Sequence, residues 1–228
     1  MSDLSSTAED YVKAIWSARE WGGDPITITA LAERFGTTRA TVSDTVRRLT
    51  AQGLITHEPY RDIILTEEGE QQALLMVRRH RLLETFLVTT LGYSWDEVHD
   101  EAESLEHAAS SRMIDRIDEL LGQPSHDPHG DPIPSRDGAI HHPNDAVTLA
   151  DAAPGDYRIL RISDSDAERL VYFDEHGLLP GAALTVRAHD PHGGTTTTVT
   201  DTGDLLALAG DATRAIMLIP ATGQRLLH

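Results

Sequence analysis

Cysteine is absent from the 228-residue sequence, and lysine occurs only once, at Lys13. The lack of cysteine excludes disulfide bonds, zinc–thiolate sites and a cysteine nucleophile. No apolar run approaches the roughly 20 residues of a membrane-spanning helix. The first ten residues are polar and acidic, unlike a signal peptide. These absences predict a soluble, cytoplasmic protein.

Positive charge is also scarce. The chain has 19 Lys and Arg against 37 Asp and Glu, which gives a formal net charge of −18, and it has 12 His. Such acidity argues against broad, non-specific binding of nucleic acid. A DNA-binding function would therefore depend on a local feature of the chain, assisted by a bound cation.

Residues 1–73 carry the pattern of a winged helix-turn-helix DNA-binding domain. Ser5 or Thr7 is predicted to cap a first helix that ends near Trp21, and Thr29 to cap a second. Two helices separated by Gly36 form the helix-turn-helix, and two short strands form the wing. The predicted ranges are 30–35 and 38–52 for these helices, and 54–57 and 62–66 for the strands. The alternative is a three-helix structural module that does not bind DNA.

The helix at 38–52 is the predicted recognition helix. Its first turn would face base edges in the major groove, and basic residues beyond it would meet phosphates. Between positions 31 and 61 five Arg face three acidic residues, a balance opposite to that of the whole chain. The predicted DNA contacts are Thr38, Arg39, Thr41, Ser43, Arg47, Arg48 and Arg61.

Residues 74–125 predict a helical metal-binding and dimerisation domain. His80 and Glu84 stand one helical turn apart, and a polar stripe follows on the next helix, made of His99, Glu103, Glu106 and His107. Imidazole with carboxylate, and no sulfur, is a ligand set for a divalent transition metal. The alternative is a solvated acidic face, but the apolar residues beside the stripe place it at the edge of a helix–helix interface. The remaining apolar helical surface predicts a homodimer.

The composition changes after residue 125. Residues 126–150 are rich in Pro, Gly, Asp and His and predict a linker, with solvated side chains at His126, His129, His141 and His142. Residues 151–228 then show five short predicted strands, which favour a small SH3-like barrel. Their ranges are 157–162, 183–188, 195–200, 205–209 and 215–219. The predicted fold class is therefore α+β, mainly α.

Four short motifs and the helix-turn-helix together resemble the diphtheria toxin repressor family of metal-dependent transcriptional repressors, over the whole chain. The motifs are S-x-x-A-E-D-Y from position 5, R-H-R-L-L-E at 79–84, V-H-D-E-A-E-x-x-E-H at 98–107 and D-P-I-P at 131–134. The resemblance implies a winged helix-turn-helix, a helical dimerisation domain and an SH3-like domain related to ferrous-transport accessory proteins. It also implies a repressor that binds double-stranded operator DNA as a homodimer, controls metal-ion uptake genes and is not an enzyme.

The resemblance further implies two metal sites per subunit. The primary site would comprise Asp10, Glu103, Glu106 and His107, so that a cation there would clamp the first helix to the dimerisation domain. The ancillary site would comprise His80, Glu84 and His99. Two side chains of the SH3-like domain would complete it, Asp164 together with Asp166 or Glu168.

Two positions in the primary site distinguish between metals. Iron-responding members of the family have Met and Cys where this chain has Asp10 and Glu103. Carboxylates suit Mn²⁺ better than thioether and thiolate do, so the chain looks like the manganese transport regulator branch. Short manganese regulators, however, place a ligating Glu at the position of Lys13 and lack an SH3-like domain. We therefore expect activation by Mn²⁺, with an iron-responsive repressor of the same family as the alternative.

An alternative from another class is a carboxylate and histidine metalloenzyme. Ferritin-like di-iron sites need Glu three residues before His on two helices. The residues three before His80, His99 and His107 are Val77, Asp96 and Ser104. This pattern does not fit such an enzyme, and an enzyme would not account for the helix-turn-helix. The third hypothesis is a metal-binding scaffold that binds another protein.

Overall fold

The computed structural model describes residues 4–23, 25–58, 62–190 and 194–221. The chain divides into two compact units, one made of Met1–His80 with Pro134–Ala139 and the other of Arg81–Ile133 with Ile140–His228. The fold is a set of helices followed by an antiparallel sheet, as predicted. No helix within these ranges is long and apolar enough to cross a membrane.

The first unit holds the winged helix-turn-helix. Its elements are α1 (Ser6–Glu20), α2 (Ile28–Arg34), α3 (Arg39–Ala51), the antiparallel strands β1 (Ile55–Thr56) and β2 (Ile64–Leu65), and most of α4 (Glu67–Phe86). Ser5 caps α1 as predicted, through a hydrogen bond from the Ala8 N–H. The predicted cap at Thr29 is wrong, because Thr27 accepts the Ala30 N–H and Thr29 lies inside α2.

Three helices continue the second unit beyond Arg81. The end of α4 passes into a π-helical turn (Leu87–Leu91), and α5 (Val98–Glu106) and α6 (Ser111–Leu120) follow. The turn ends at Gly92, whose φ of 76° favours glycine. Buried apolar side chains of these helices form one cluster, which includes Leu82, Leu83, Val98, Ala102, Ile114 and Ile117.

A tight turn at residues 127–131 replaces the start of the predicted linker. The sequence D-P-H-G-D is a turn signature, with Pro at the second position and a glycine at φ +85°, Gly130. The Gly130 N–H donates to the Asp127 carbonyl, and the Asp127 N–H to the Asp131 carbonyl. His126, His141 and His142 are exposed as expected, but the prediction for His129 is wrong, because that side chain is fully buried.

The C-terminal part of the second unit is a six-stranded antiparallel sheet. Its strands are β3 (Val147–Thr148), β4 (Gly155–Ile162), β5 (Ala183–Asp190), β6 (Thr195–Thr200), β7 (Leu205–Ala209) and β8 (Ile216–Pro220), in the order β3-β8-β4-β5-β6-β7. The helices α7 (Ala167–Glu175) and α8 (Asp211–Arg214) accompany it. The five predicted strands are confirmed, and β3 has two residues, too few for a periodic signal. Phe173 of α7 lies fully buried in the core of this domain.

Candidate metal centre

Glu84, His99 and Asp164 come together inside the second unit. Glu84 lies on α4 and is fully buried, His99 lies on α5, and Asp164 follows β4. His99 Nδ1 is 2.9 Å from Asp164 Oδ2 and 3.4 Å from Glu84 Oε1. Three separate elements thus place one imidazole and two carboxylates within reach of a single cation.

The charges of this group depend on one another. Burial alone would lower the pKa of His99, but the hydrogen bonds and charges of Asp164 and Glu84 outweigh it and raise the pKa to about 10. Burial would likewise raise the pKa of Asp164, but the hydrogen bond from His99 lowers it to about 2. At neutral pH and without a metal, His99 is therefore an imidazolium between two carboxylates.

A second group shares Glu84 and lies deeper in the protein. It adds Asp127 and His129 from the turn, and one ligand atom from each of the three residues lies within 4.8 Å of the others. His129 is 0% exposed and Asp127 is 8% exposed. Sequence reasoning assigned neither residue to a site. The available signal was the D-P-H-G-D turn itself, which stands directly before the D-P-I-P motif.

The orientation of His129 suits a metal ligand. Its Nε2 lies 2.7 Å from the carbonyl oxygen of Trp95. A carbonyl only accepts hydrogen bonds, so Nε2 carries the proton and Nδ1 carries a lone pair. That Nδ1 is buried and has no hydrogen-bond partner in the described part of the chain. A backbone carbonyl that fixes the tautomer from the far side of the ring is the usual support of a metal-bound histidine.

Asp127 is held firmly on its other side. Its Oδ1 accepts the backbone N–H groups of His129 and Asp131, each at 2.9 Å. Burial, followed by the charges of Asp131 and Glu84, raises the pKa of Asp127 well above its usual range, against the opposing effect of Arg81. Buried carboxylates this close repel one another, so a cation would relieve them.

His80 has a different partner in the first unit. Lys13 Nζ lies 3.1 Å from His80 Nδ1, and both side chains are buried. An ammonium has no lone pair, so Lys13 donates and His80 Nδ1 accepts. His80 is thus held by Lys13 through one ring nitrogen, and its role in the ancillary site stays a prediction.

The predicted primary-site residues occupy α1 and α5. On α5, Glu106 is 1% exposed and its Oε1 lies 3.9 Å from His107 Nε2, whereas Glu103 is exposed. Asp10 is half-buried on α1 in the first unit. Three of the four predicted ligands therefore lie toward the end of α5 in the second unit, and Asp10 lies on α1 in the first unit.

The other candidates from the SH3-like domain occupy the start of α7. Asp166 caps this helix, and its Oδ1 accepts the Arg169 N–H at 3.1 Å. Glu168 is exposed in the first turn of the helix. Within the described ranges, the groups of potential ligands include Asp164 but neither of these two residues.

The predicted DNA contacts lie mostly on the surface of α3. Thr38 caps the helix, and Arg39 and Thr41 are exposed in its first turn. Ser43 donates to the Arg39 carbonyl. Arg47 and Arg48 are exposed one turn further on, and Arg47 pairs with Asp44 at 2.8 Å. The predicted wing contact Arg61 lies outside the described residues.

The side chains around Glu84 fit a divalent cation. Glu84 and Asp127 offer carboxylate oxygens, and His129 offers a buried lone pair that no hydrogen bond uses among the described residues, while Asp164 is a further carboxylate beside Glu84 and His99. Such an oxygen-rich set with one imidazole suits Mn²⁺ or Fe²⁺ better than softer ions.

Comparison with known proteins places these features in a family. Sequence models match residues 3–63 ("Iron dependent repressor, N-terminal DNA binding domain"), 66–135 ("Iron dependent repressor, metal binding and dimerisation domain") and 147–220 ("FeoA domain"). The iron-dependent repressor IdeR of Mycobacterium tuberculosis is 33% identical over 208 residues, 86% of this chain and 90% of that protein.

Several solved structures are also similar to this chain. A manganese-dependent transcriptional repressor in complex with manganese is 45% identical, with a TM-score of 0.89 over 93% of this chain and 99% of that one. The manganese regulator SloR is 30% identical, with a TM-score of 0.81 over 95% and 100%.

Proposed function

Because this chain belongs to the diphtheria toxin repressor family of metal-dependent transcriptional repressors, we propose that it is a repressor activated by Mn²⁺. It binds operator DNA as a homodimer and controls genes of metal-ion uptake. Its relatives are transcriptional repressors and not enzymes. A repressor acts where the DNA is, so we place it in the cytoplasm.

The observation that carries the choice of metal is the buried lone pair of His129 beside the carboxylates of Glu84 and Asp127. We assign Glu84, Asp127 and His129 as ligands of this site, with Asp164, which is held by His99, as the neighbouring carboxylate. Asp127 and His129 are additional to the ancillary set that the resemblance implied, with which they share Glu84. A bound cation supplies the positive charge that these carboxylates lack. Oxygen-rich ligation supports manganese, as do the structural relatives named for it.

We retain Asp10, Glu103, Glu106 and His107 as the second site on the strength of the resemblance. Its carboxylates at positions 10 and 103 support Mn²⁺ over Fe²⁺ for the reason of ligand softness. The relatives named for iron support the iron-responsive alternative. Activation then requires only a modest coupling free energy between metal binding and DNA binding, since a ~100-fold gain in DNA affinity corresponds to about 2.7 kcal/mol.

The test is a titration of promoter DNA with the full chain, repeated with Mn²⁺, anaerobic Fe²⁺, Zn²⁺ and a chelator. Tight binding with Mn²⁺ and none with the chelator is the expected result. An equal response to Fe²⁺ would contradict the argument from ligand softness. Arg39→Ala should weaken DNA binding and leave Mn²⁺ binding unchanged, and Arg34→Ala, an exposed residue at the end of α2, serves as the control.

A further inference from the structure

A chain of buried charges connects the turn at residues 127–131 to the sheet. Arg81 Nε lies 3.4 Å from Asp127 Oδ2, and Arg81 Nη2 lies 3.6 Å from Asp131 Oδ2. Arg161 Nη1 donates to Asp131 Oδ1 at 2.7 Å. All four side chains are less than 8% exposed. Negative and positive charges therefore alternate along Asp127, Arg81, Asp131 and Arg161, and all four side chains are shielded from solvent.

Arg81 is also anchored to the backbone just beyond the turn. Arg81 Nη1 donates to the Pro132 carbonyl at 2.7 Å. The guanidinium thus holds both ends of the turn, Asp127 at the start and Pro132 just beyond it. Its fixed, planar fork is suited to this task, whereas a lysine would offer a single point charge.

The outer end of the chain depends on an irregularity in β4. The pairing of β4 with β8 shifts register between Ile159 and Arg161. Such a bulge re-aims the side chains that follow it. Ile162 accordingly lies in the core of the sheet, while Arg161 is buried against Asp131.

The turn also rests directly on the backbone of β4. The Ile162 N–H donates to the His129 carbonyl at 2.9 Å. A Cβ on Gly130 would lie 2.3 Å from the Leu160 carbonyl oxygen, so only glycine permits this approach. The position of His129 is therefore set by the strand that carries Arg161.

We propose that Arg161 and Asp131 are positioning residues for the metal centre, which act through Arg81 to hold Asp127 and His129 facing Glu84. Neither residue is among the proposed ligands. Arg161 holds the Asp131 carboxylate, and that carboxylate holds Arg81 against Asp127, so the loss of either contact would loosen the hold of Arg81 on Asp127. The SH3-like domain then contributes to metal affinity through Arg161 as well as through Asp164.

This inference rests on the proposed metal site. The test distinguishes failure of the positioning role from failure of the metal site itself. The Mn²⁺ affinity of the metal-free full chain is measured by titration calorimetry, and the thermal midpoint is measured with and without Mn²⁺. The variants are Arg161→Met and Asp131→Asn. The control is Arg158→Met on the same strand, an exposed residue that donates to the Gly181 carbonyl.

We expect both variants to bind Mn²⁺ on the order of 10–100-fold more weakly, the range for residues that support metal ligands. The control should bind like the parent. The rise in thermal midpoint with Mn²⁺ should shrink in both variants, because ligand stabilisation follows affinity. Asp131→Asn keeps the shape of the side chain, so it still tests the positioning role if Arg161→Met does not fold.

A purely structural role would give a different result. It would lower the midpoint of the metal-free variants and leave their Mn²⁺ affinity at the parent value, which would overturn the inference. A parent chain that binds no Mn²⁺ at all would instead overturn the proposed function.

Discussion

His99 Nδ1 donates to Asp164 Oδ2 across 2.9 Å and thereby ties α5 to the segment that follows β4. The two residues are 65 positions apart in the sequence, yet each sets the protonation state of the other. The raised pKa of His99 and the lowered pKa of Asp164 both stabilise the metal-free fold, but the first contribution is lost as pH rises and the second as pH falls.

The pH dependence of stability follows from the pKa of His99. Its value of about 10 in the folded protein exceeds the ordinary 6.5, so the folded state holds this proton more tightly. The pair with Asp164 therefore stabilises the metal-free fold fully below pH ~6.5, and the contribution is lost as pH rises toward 10. Urea unfolding in a chelator across this range should show the decline. His99→Gln should show a smaller decline, and an equal one would contradict the assignment.

Metal binding should release protons. A cation close to Glu84, Asp127 and Asp164 disfavours the imidazolium of His99 and any proton that Asp127 holds. Mn²⁺ affinity should therefore rise with pH between about 6 and 8. Calorimetry near neutral pH in buffers of different ionisation enthalpy measures the number of protons released. Binding heats that do not depend on the buffer would exclude this linkage.

His129 and His126 form a matched pair for testing the ligand assignment. His129 is buried with a ring nitrogen close to Glu84, whereas His126 is exposed three residues earlier. His129→Gln should reduce Mn²⁺ affinity by more than the about 10–100-fold typical of a supporting residue. His126→Gln should leave it unchanged. Equal affinities for the two variants in a competition titration would remove His129 from the site.

Gly130 and Gly122 test the close approach of the turn to β4. Both have positive φ, +85° and +75°, but a Cβ at Gly122 meets nothing within 4 Å. Gly122→Ala should cost about 1 kcal/mol of unfolding free energy, from backbone strain alone. Gly130→Ala adds the clash with the Leu160 carbonyl and should cost on the order of 3 kcal/mol. It should also weaken Mn²⁺ binding, whereas similar losses in both variants would refute the packing argument.

The second proposed site allows a test of metal choice. Asp10→Met combined with Glu103→Cys introduces sulfur ligands and should shift activation of DNA binding from Mn²⁺ toward Fe²⁺. DNA-binding titrations with each ion, under anaerobic conditions, compare the double variant with the parent. An unchanged order of metals would mean that ligand softness at these positions does not set the preference.

Local patterns predicted most of the fold. The helix-turn-helix followed from apolar spacing, caps and Gly36, and the strands of the SH3-like domain from alternation. The errors have local causes. Thr29 and Thr27 are equivalent capping residues by type, and only the path of the backbone selects Thr27. The π-helical turn at Leu87–Leu91 has the composition of an ordinary helix end.

The sequence by itself determined the family, the domain order and a set of carboxylates and imidazoles suited to a divalent cation, because these depend on residue type and short spacing. Only the tertiary structure decided which residues face one another. Lys13 engages His80, 67 positions away, and the Trp95 carbonyl fixes the tautomer of His129, 34 positions away. A ligand needs a free lone pair as well as the right residue type, and the contacts that determine this arise only when the chain folds.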